Sequence, residues 1–461
     1  MASFWIGLSL FSKNYFNGVP IFFHRVTFWV MLCYCIVTVL RKQKRNLLTG
    51  QIYRRPVIIT MMVAMIAQVV AMTLSFLIAN NTVPMPGVLS GTVHFIELVT
   101  SIMLTYTAIA ISIDSIADMR RFILGVFWSL LGFEILVLIP QIIATSTRAL
   151  DPWVNFLGRW FEDREAVRPD FYWNGSYVSS LLRVNGFQGE ASFLAAQLAL
   201  VFIPFSIAAI RNRIDYFHVD SSKTKLLKYW LAIFSVLVIL FFAKTTTGFL
   251  VIGTTLILLF LAANKREKVA LAITAVIGLV LVGVAYSRIA SIHTLLNEYL
   301  FNKGNTSNRL GNSIGLLMTF LHHPILGVGE GFTNYFTFEY VPSWTRNNIE
   351  YIQHILPEKS FAPQSVWGAM FAENGLIIMI PLLWFIWDKI ATSWQMRRVK
   401  HEDSTWNERF KHSLMTAFYV YLLMFLILGC FSFQITDFST LLMFFFFIHA
   451  INWFSDHEKI L

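Results

Sequence analysis

Arg183 and Glu190 lie in the stretch LLRVNGFQGEASFLAAQLAL (181–200), with Gly186, Gln188 and Gly189 between them, directly ahead of an apolar run. A second arginine, Arg309, opens RLGNSIGLLMTFLHHPILGVGEGF (309–332). A guanidinium donates two parallel hydrogen bonds to a phosphate and keeps its charge at any working pH. Two of them borne by separate segments suit an anion such as a diphosphate, stabilising the charge that develops on it as it leaves. Gly186 and Gly189 let the backbone turn sharply or approach a ligand closely. Glu190 also stands where a helix dipole favours a carboxylate, so a plain cap and an interfacial, snorkelling arginine are the structural alternative.

A general base works best when it titrates near neutrality, and His94, His354 and Glu190 are the candidates. His94 and Glu97 are three residues apart on one helix face, and Glu134 lies in the next apolar run. Such groups inside a membrane are either functional or hold a bundle together. No Asp-rich or His-rich cluster has ligand spacing, so neither metal nor cofactor is expected. Cys33, Cys35 and Cys430 read as packing residues, since the first two have the wrong spacing for zinc. Gly327, Gly329 and Gly331 form a G-x-G-x-G strip, but no strand precedes it, so it is not a nucleotide fingerprint.

The elements that position these residues follow from composition. The chain has 461 residues, 56% hydrophobic and 13% charged, about half the charge fraction usual in a soluble domain. Apolar runs of about 20 residues recur, long enough to cross a hydrocarbon core, and each must be a helix to satisfy its own backbone. The expected class is an all-α polytopic membrane protein with candidate spans near 20–40, 56–79, 91–112, 122–143, 189–210, 228–243, 248–264, 269–287, 366–389, 413–434 and 439–454. Residues 1–12 are a half-helix or part of a further crossing, giving 11–12 spans. No small-residue cleavage site follows them, so a removed signal peptide is not expected.

Lys and Arg concentrate in 41–55, 117–121, 211–228, 265–268 and 394–412, which puts those loops on the cytoplasmic side. The net charge of +10 then reports topology, and nucleic-acid binding is not expected. Two long segments, 144–188 and 288–365, fall outside, the second carrying an amphipathic helix with apolar positions 310, 314, 317, 320 and 321. Neither reads as an independent domain, so residues 1–461 form one transmembrane domain. Long ordered loops are usually functional, and internal repeats of the kind transporters carry are not evident.

Four pieces, RVNGFQGEASFLA, KTTTGFLV (244–251), R…HHPILGVGEGF from Arg309, and APQSVWGAMFAENGLIIM (362–379), together resemble the O-antigen polymerase and ligase superfamily. The resemblance runs over roughly residues 180 to 390. It implies a GT-C-like bundle in the bacterial inner membrane and metal-independent, inverting glycosyl transfer at the periplasmic face. It also implies that Arg183 and Arg309 bind the undecaprenyl diphosphate of the donor, and that Glu190 orders Arg183 or acts near the acceptor. Gly186, Gln188, Gly327, Gly329, Gln364 and the Thr245–Thr247 step, with Thr246 at its centre, would support the site. In a bacterial host the Asn174 and Asn305 sequons are chance matches. Where the ligases carry a histidine beside the last motif's Asn-Ser step, this chain has Pro363, Gln364 and Ser365, with His354 nine residues before Pro363. That departure favours a polymerase acting on undecaprenyl-diphosphate-linked oligosaccharides, working with a chain-length regulator and a flippase. The alternatives are an O-antigen ligase that transfers glycan to lipid A–core, and a lipid-linked oligosaccharide flippase or other transporter.

Overall fold

Residues 1–11, 25–41, 55–79, 87–164, 169–219, 226–289, 293, 297, 306–398, 405–431, 435 and 437–458 are described by a computed structural model. Among them the secondary structure is helical, without strands. In chain order the helices are α1 (Trp5–Leu10), α2 (Val26–Leu40), α3 (Arg55–Ala79), α4 (Val88–Ser112), α5 (Ile116–Phe133), α6 (Ile139–Thr147), α7 (Asp151–Phe161), α8 (Tyr177–Leu181), α9 (Ala191–Val201) and α10 (Ile203–Asn212). They continue as α11 (Leu227–Ala243), α12 (Thr246–Ala262), α13 (Lys265–Arg288), α14 (Thr306–His322), α15 (Thr333–Tyr340), α16 (Val366–Arg398), α17 (Trp406–Leu428) and α18 (Phe438–Glu458).

Among the described residues, eight helical stretches are long and apolar enough to cross a membrane, and α2, α11 and α12 are shorter apolar helices. These eleven correspond one to one with the eleven expected runs. The chain is an all-α polytopic membrane protein. At the N-terminus α1 is six residues long, with Trp5 wholly buried against the bundle. It does not cross by itself, and residues 12–24 lie outside the described residues.

The packing follows side-chain size. Between helices in a bilayer the gain comes from close backbone approach, for which small residues serve best. The α9–α10 stretch carries Ala195, Ala196, Ala199, Ala208 and Ala209, all buried. Nearly all of its residues are buried, which makes it the centre of the bundle. Helices α11, α12, α17 and α18 surround it, and Phe122 of α5 stacks on Phe446 of α18 at 4.2 Å in the same core. Two spans are bent at identifiable residues. Pro140 cannot continue the hydrogen-bond ladder, and Glu134–Leu138, between α5 and α6, widens to a π turn ahead of it. Helix α16 breaks at Gly375, whose φ of 57° and ψ of −173° are non-helical.

The described parts of the basic turns near Arg120, Arg213 and Glu267 are tied together; residues 42–54, 220–225 and 399–404 lie outside the described residues. Arg120 donates to the carbonyls of Tyr216 and Phe217 at 2.6 and 2.7 Å. Arg213 makes a bidentate pair with Glu267, both contacts 2.6 Å, which ties the start of α13 to the end of α10. Residues 144–164, 169–190 and 306–365 fold over the end opposite these turns and carry Arg183, Glu190 and Arg309.

Candidate functional site

The first segment is built on buried charge. Arg25, just ahead of α2, pairs with Asp163 at 3.1 Å and with Asp437 at 3.4 Å, all three nearly inaccessible. Asp437 also accepts from Gln197 of α9 at 3.3 Å and is bonded to Ser439. The next acid, Glu162, accepts from the Tyr177 backbone N–H at 3.2 Å and from Asn185 at 3.4 Å, and pairs with Arg164 at 3.1 Å. Burial pushes its carboxyl up to about 7, with Arg164 acting in the opposite direction. Tyr172 closes the loop by donating to the Gly189 carbonyl at 2.9 Å, its ring lying 5.0 Å under the Arg164 guanidinium.

On that base stands the motif around Arg183. Gly186 is held on both sides by Gln141 of α6, which accepts from its N–H at 2.8 Å and donates to its carbonyl at 2.6 Å. Its φ of +62° suits glycine, and a Cβ there would press on Leu194 and Phe133 at 3.0 Å. Gln188 is buried, and its side-chain oxygen has no partner among the described residues. The half-buried Arg183 donates to the Tyr177 hydroxyl, which also accepts from the N–H of Ala191, the first residue of α9. Burial pushes the Tyr177 phenol up to about 12, so it stays neutral. The turn between α11 and α12 packs alongside: Lys244, with φ of 50°, donates to the Leu182 carbonyl at 2.9 Å, and Val184 donates to the Phe242 carbonyl at 3.2 Å. Thr245 caps α12 through Gly248, and Thr246 is the half-buried first residue of that helix.

The second segment is organised by α14. Its leucine stripe faces away from the protein, with Leu310, Leu317 and Leu321 each more than half exposed. Asn308, Gly311, Asn312, Gly315, Leu316 and Thr319 face inward. A helix turned this way suits a membrane–water interface, where the apolar side has lipid to meet. The inward amides grip the rest of the segment. Asn308 donates to Asn348 at 3.3 Å and to Glu350 at 3.0 Å. Asn312 donates to the Ala362 carbonyl at 3.0 Å and accepts from the Gln364 N–H at 2.7 Å. Arg309 lies between them, half-buried.

The two segments meet at Glu190. Partial burial pushes its carboxyl above the ordinary range. Ser192, bonded at 3.1 Å, and the charges of Arg309 and Arg183 pull it down again, while the carboxylate of Glu350 adds to the rise. Arg183 and Arg309, 126 positions apart in the chain (309 − 183), thus act on one carboxyl group. Such an arrangement can hold a doubly charged anion beside a carboxyl group that burial has made harder to ionise. Tyr177, Lys244 and Glu350 were not among the residues expected from sequence. Tyr177 and Glu350 belong to no motif of fixed spacing, although the run SWTRNNIE (343–350) is polar and aromatic where a solvated linker would be more uniform.

Other expected residues stand elsewhere. His94 lies 3.7 Å from Glu97 within α4, and burial pushes the carboxyl of Glu330 in the glycine turn up, with His94 acting in the opposite direction. His354 is exposed within the π turn Tyr351–Ile355. Gly327 and Gly329 have φ of 70° and 86°. Their turn docks into the break in α16: Val328 and Gly329 donate to the carbonyls of Ala372 and Glu373 at 2.8 and 3.0 Å, and Leu376 donates to the Pro324 carbonyl at 2.8 Å. These N–H groups are spent on repairing a broken span. No group of three or more His, Cys, Asp or Glu among the described residues could hold a metal ion.

The fold and this cluster define a polytopic membrane protein with a charged site at one end of its bundle. Residues 231–383 match the family model described as O-antigen ligase, which supports the O-antigen polymerase/ligase superfamily and does not separate polymerase from ligase. Members of that family are glycosyltransferase-like enzymes. No curated protein and no solved structure matches the chain. The matched region contains Arg309 and Glu350 and begins beyond Arg183 and Glu190, which join it through the fold alone.

Proposed function

We propose that this chain is a polymerase of bacterial surface polysaccharide, working at the periplasmic face of the inner membrane. It transfers a growing glycan from undecaprenyl diphosphate to a lipid-linked repeat unit with inversion and without a metal. The observation that carries this reading is the joint action of Arg183 and Arg309 on Glu190. It supports a clamp in which the two guanidiniums receive the departing diphosphate. Holding two lipid-anchored substrates in line is worth about 7–11 kcal/mol in well-oriented systems, and the buried ion pairs beneath Arg183 suit such positioning. In this reading Thr246, Gln188 and Gln364 support the segments that carry Arg183 and Arg309, and Gly186 allows the turn that Arg183 needs.

Arg183→Ala and Arg309→Ala test the clamp through polymer length on gels. Losing one donor to a developing oxyanion lowers turnover by about 10²–10³, so each variant should leave short chains. Wild-type ladders from both would end the clamp reading. Ligation to lipid A–core is the second reading, favoured by the description of the matched family. The departure at Pro363, Gln364 and Ser365 speaks for polymerisation. Deletion separates them: a missing polymerase leaves single repeats attached to the core, and a missing ligase leaves none.

A further inference from the structure

The clamp receives the leaving group but gives no destination to the proton of the acceptor hydroxyl. Glu190 is poorly placed for that task. It lies in the fields of Arg183 and Arg309 with a hydrogen bond from Ser192, on the side where the diphosphate would rest. The attacking oxygen must approach from the opposite face. Glu350 is the second carboxylate acting on Glu190. It is half-buried at the head of the Tyr351–Ile355 turn, with its backbone N–H fixed on Asn348 at 2.9 Å and one carboxylate oxygen accepting from Asn308 at 3.0 Å.

Asn308 supplies the complementary half of a hydroxyl site. It is 1% exposed, its amide nitrogen is used twice, and its Oδ1 is buried with no partner among the described residues. A buried amide oxygen left unpaired is costly, and a donor hydroxyl removes the cost. Asn308 immediately precedes Arg309, and successive side chains of a helix point about 100° apart, so its oxygen is directed differently from the Arg309 guanidinium.

We propose that Glu350 is the general base of glycosyl transfer and that Asn308 orients the acceptor sugar hydroxyl toward it. This rests on the glycosyltransferase reading above. The acceptor oxygen forms its bond to the anomeric carbon as the bond from that carbon to the diphosphate oxygen breaks. The electron pair of the broken bond leaves on the diphosphate between the two arginines, and the hydroxyl proton passes to Glu350. The charged groups around this base are Glu190 and Arg309 on the clamp side, with Arg346 and Glu339 beside the adjoining Tyr351.

The test uses the full-length protein in liposomes with an undecaprenyl-diphosphate-linked repeat unit, scoring chain extension. Glu350→Gln keeps an acceptor for Asn308 and removes the base. Its kcat should fall by about 10²–10⁴-fold with KM unchanged, and the acid limb of the wild-type pH profile should disappear. Glu350→Asp should recover part of the rate and bring back an acid limb displaced from its wild-type position. A kcat for Glu350→Gln within a few-fold of wild type overturns the base assignment and leaves the glycosyltransferase reading intact. A raised KM with unchanged kcat overturns it equally, assigning Glu350 to binding alone. If Glu350→Gln does not fold, Glu350→Asp carries the decision: a rate loss without any shift of the acid limb overturns the proposal. Wild-type protein that extends no chain overturns the glycosyltransferase reading itself, and this one with it.

Discussion

Residues 144–190 are fixed to the bundle by buried ions, whereas residues 306–365 are held by amides and glycine contacts. In the first segment, Arg25, Asp163 and Asp437 join α2, the α7 exit and α18, and Val184 and Phe187 belong to the main core. The second has small clusters of its own. Val341, Tyr351, Ile355 and Phe361 form one, and Val328, Phe332 and Phe336 close over Met72 in another. Paired charges fix a position sharply but cost much when one partner is lost. Amide contacts are individually modest. The difference puts Arg183 on an immobile base and delivers Arg309 and Glu350 on a unit that packs largely on itself.

The largest expected effect falls on the first segment. Arg25→Met leaves Asp163 and Asp437 buried without their cation and should cost about 3–5 kcal/mol, read as a lower unfolding temperature in detergent. A variant of wild-type stability would break the contrast at its root. Next comes pH. Glu162 is raised from 4.5 to about 7, so between those values the native protein keeps a proton that the unfolded chain has released. Its contribution is present below about pH 4.5 and is lost as pH rises through about 7. The unfolding temperature should therefore fall across that window, and Glu162→Gln should flatten the fall. A slope that survives the substitution would show that other groups set it.

The second segment should yield smaller losses. Asn308→Ala removes the donor to Glu350 and should cost about 1–3 kcal/mol, detectable as increased proteolysis of 306–365 before the bundle opens. Gly311→Ala would drive a methyl into the Thr345 side chain and should cost about 1–3 kcal/mol. Simultaneous loss of both segments in either variant would mean that they are one cooperative unit. Gly253→Ala, in α12 with no atom near the added Cβ, should shift stability by less than about 1 kcal/mol and sets the baseline for the others.

Hydrophobic runs made the bundle legible. A lipid-facing backbone has no alternative to helix, so eleven apolar runs translate directly into eleven apolar helices. Arg183, Glu190 and Arg309 were legible for a related reason, since charge at a membrane entrance stands out against 56% hydrophobic residues. The orientation of α14 was not. Its leucine stripe has the same period whether it meets protein or lipid, and only packing turned Asn308 and Asn312 inward. Likewise the glycine turn at 327–331 displays no partner in one dimension, because the carbonyls it satisfies belong to a break in α16, more than 40 positions away.

Composition and spacing by themselves determined the class of protein, the number of apolar helices and the residue types at the entrance, because solvation acts on each segment locally. Which charges act on one another was decided only in three dimensions. Electrostatic coupling depends on distance through a low-dielectric interior, and residues 183, 190, 309 and 350 become neighbours only after the bundle has closed.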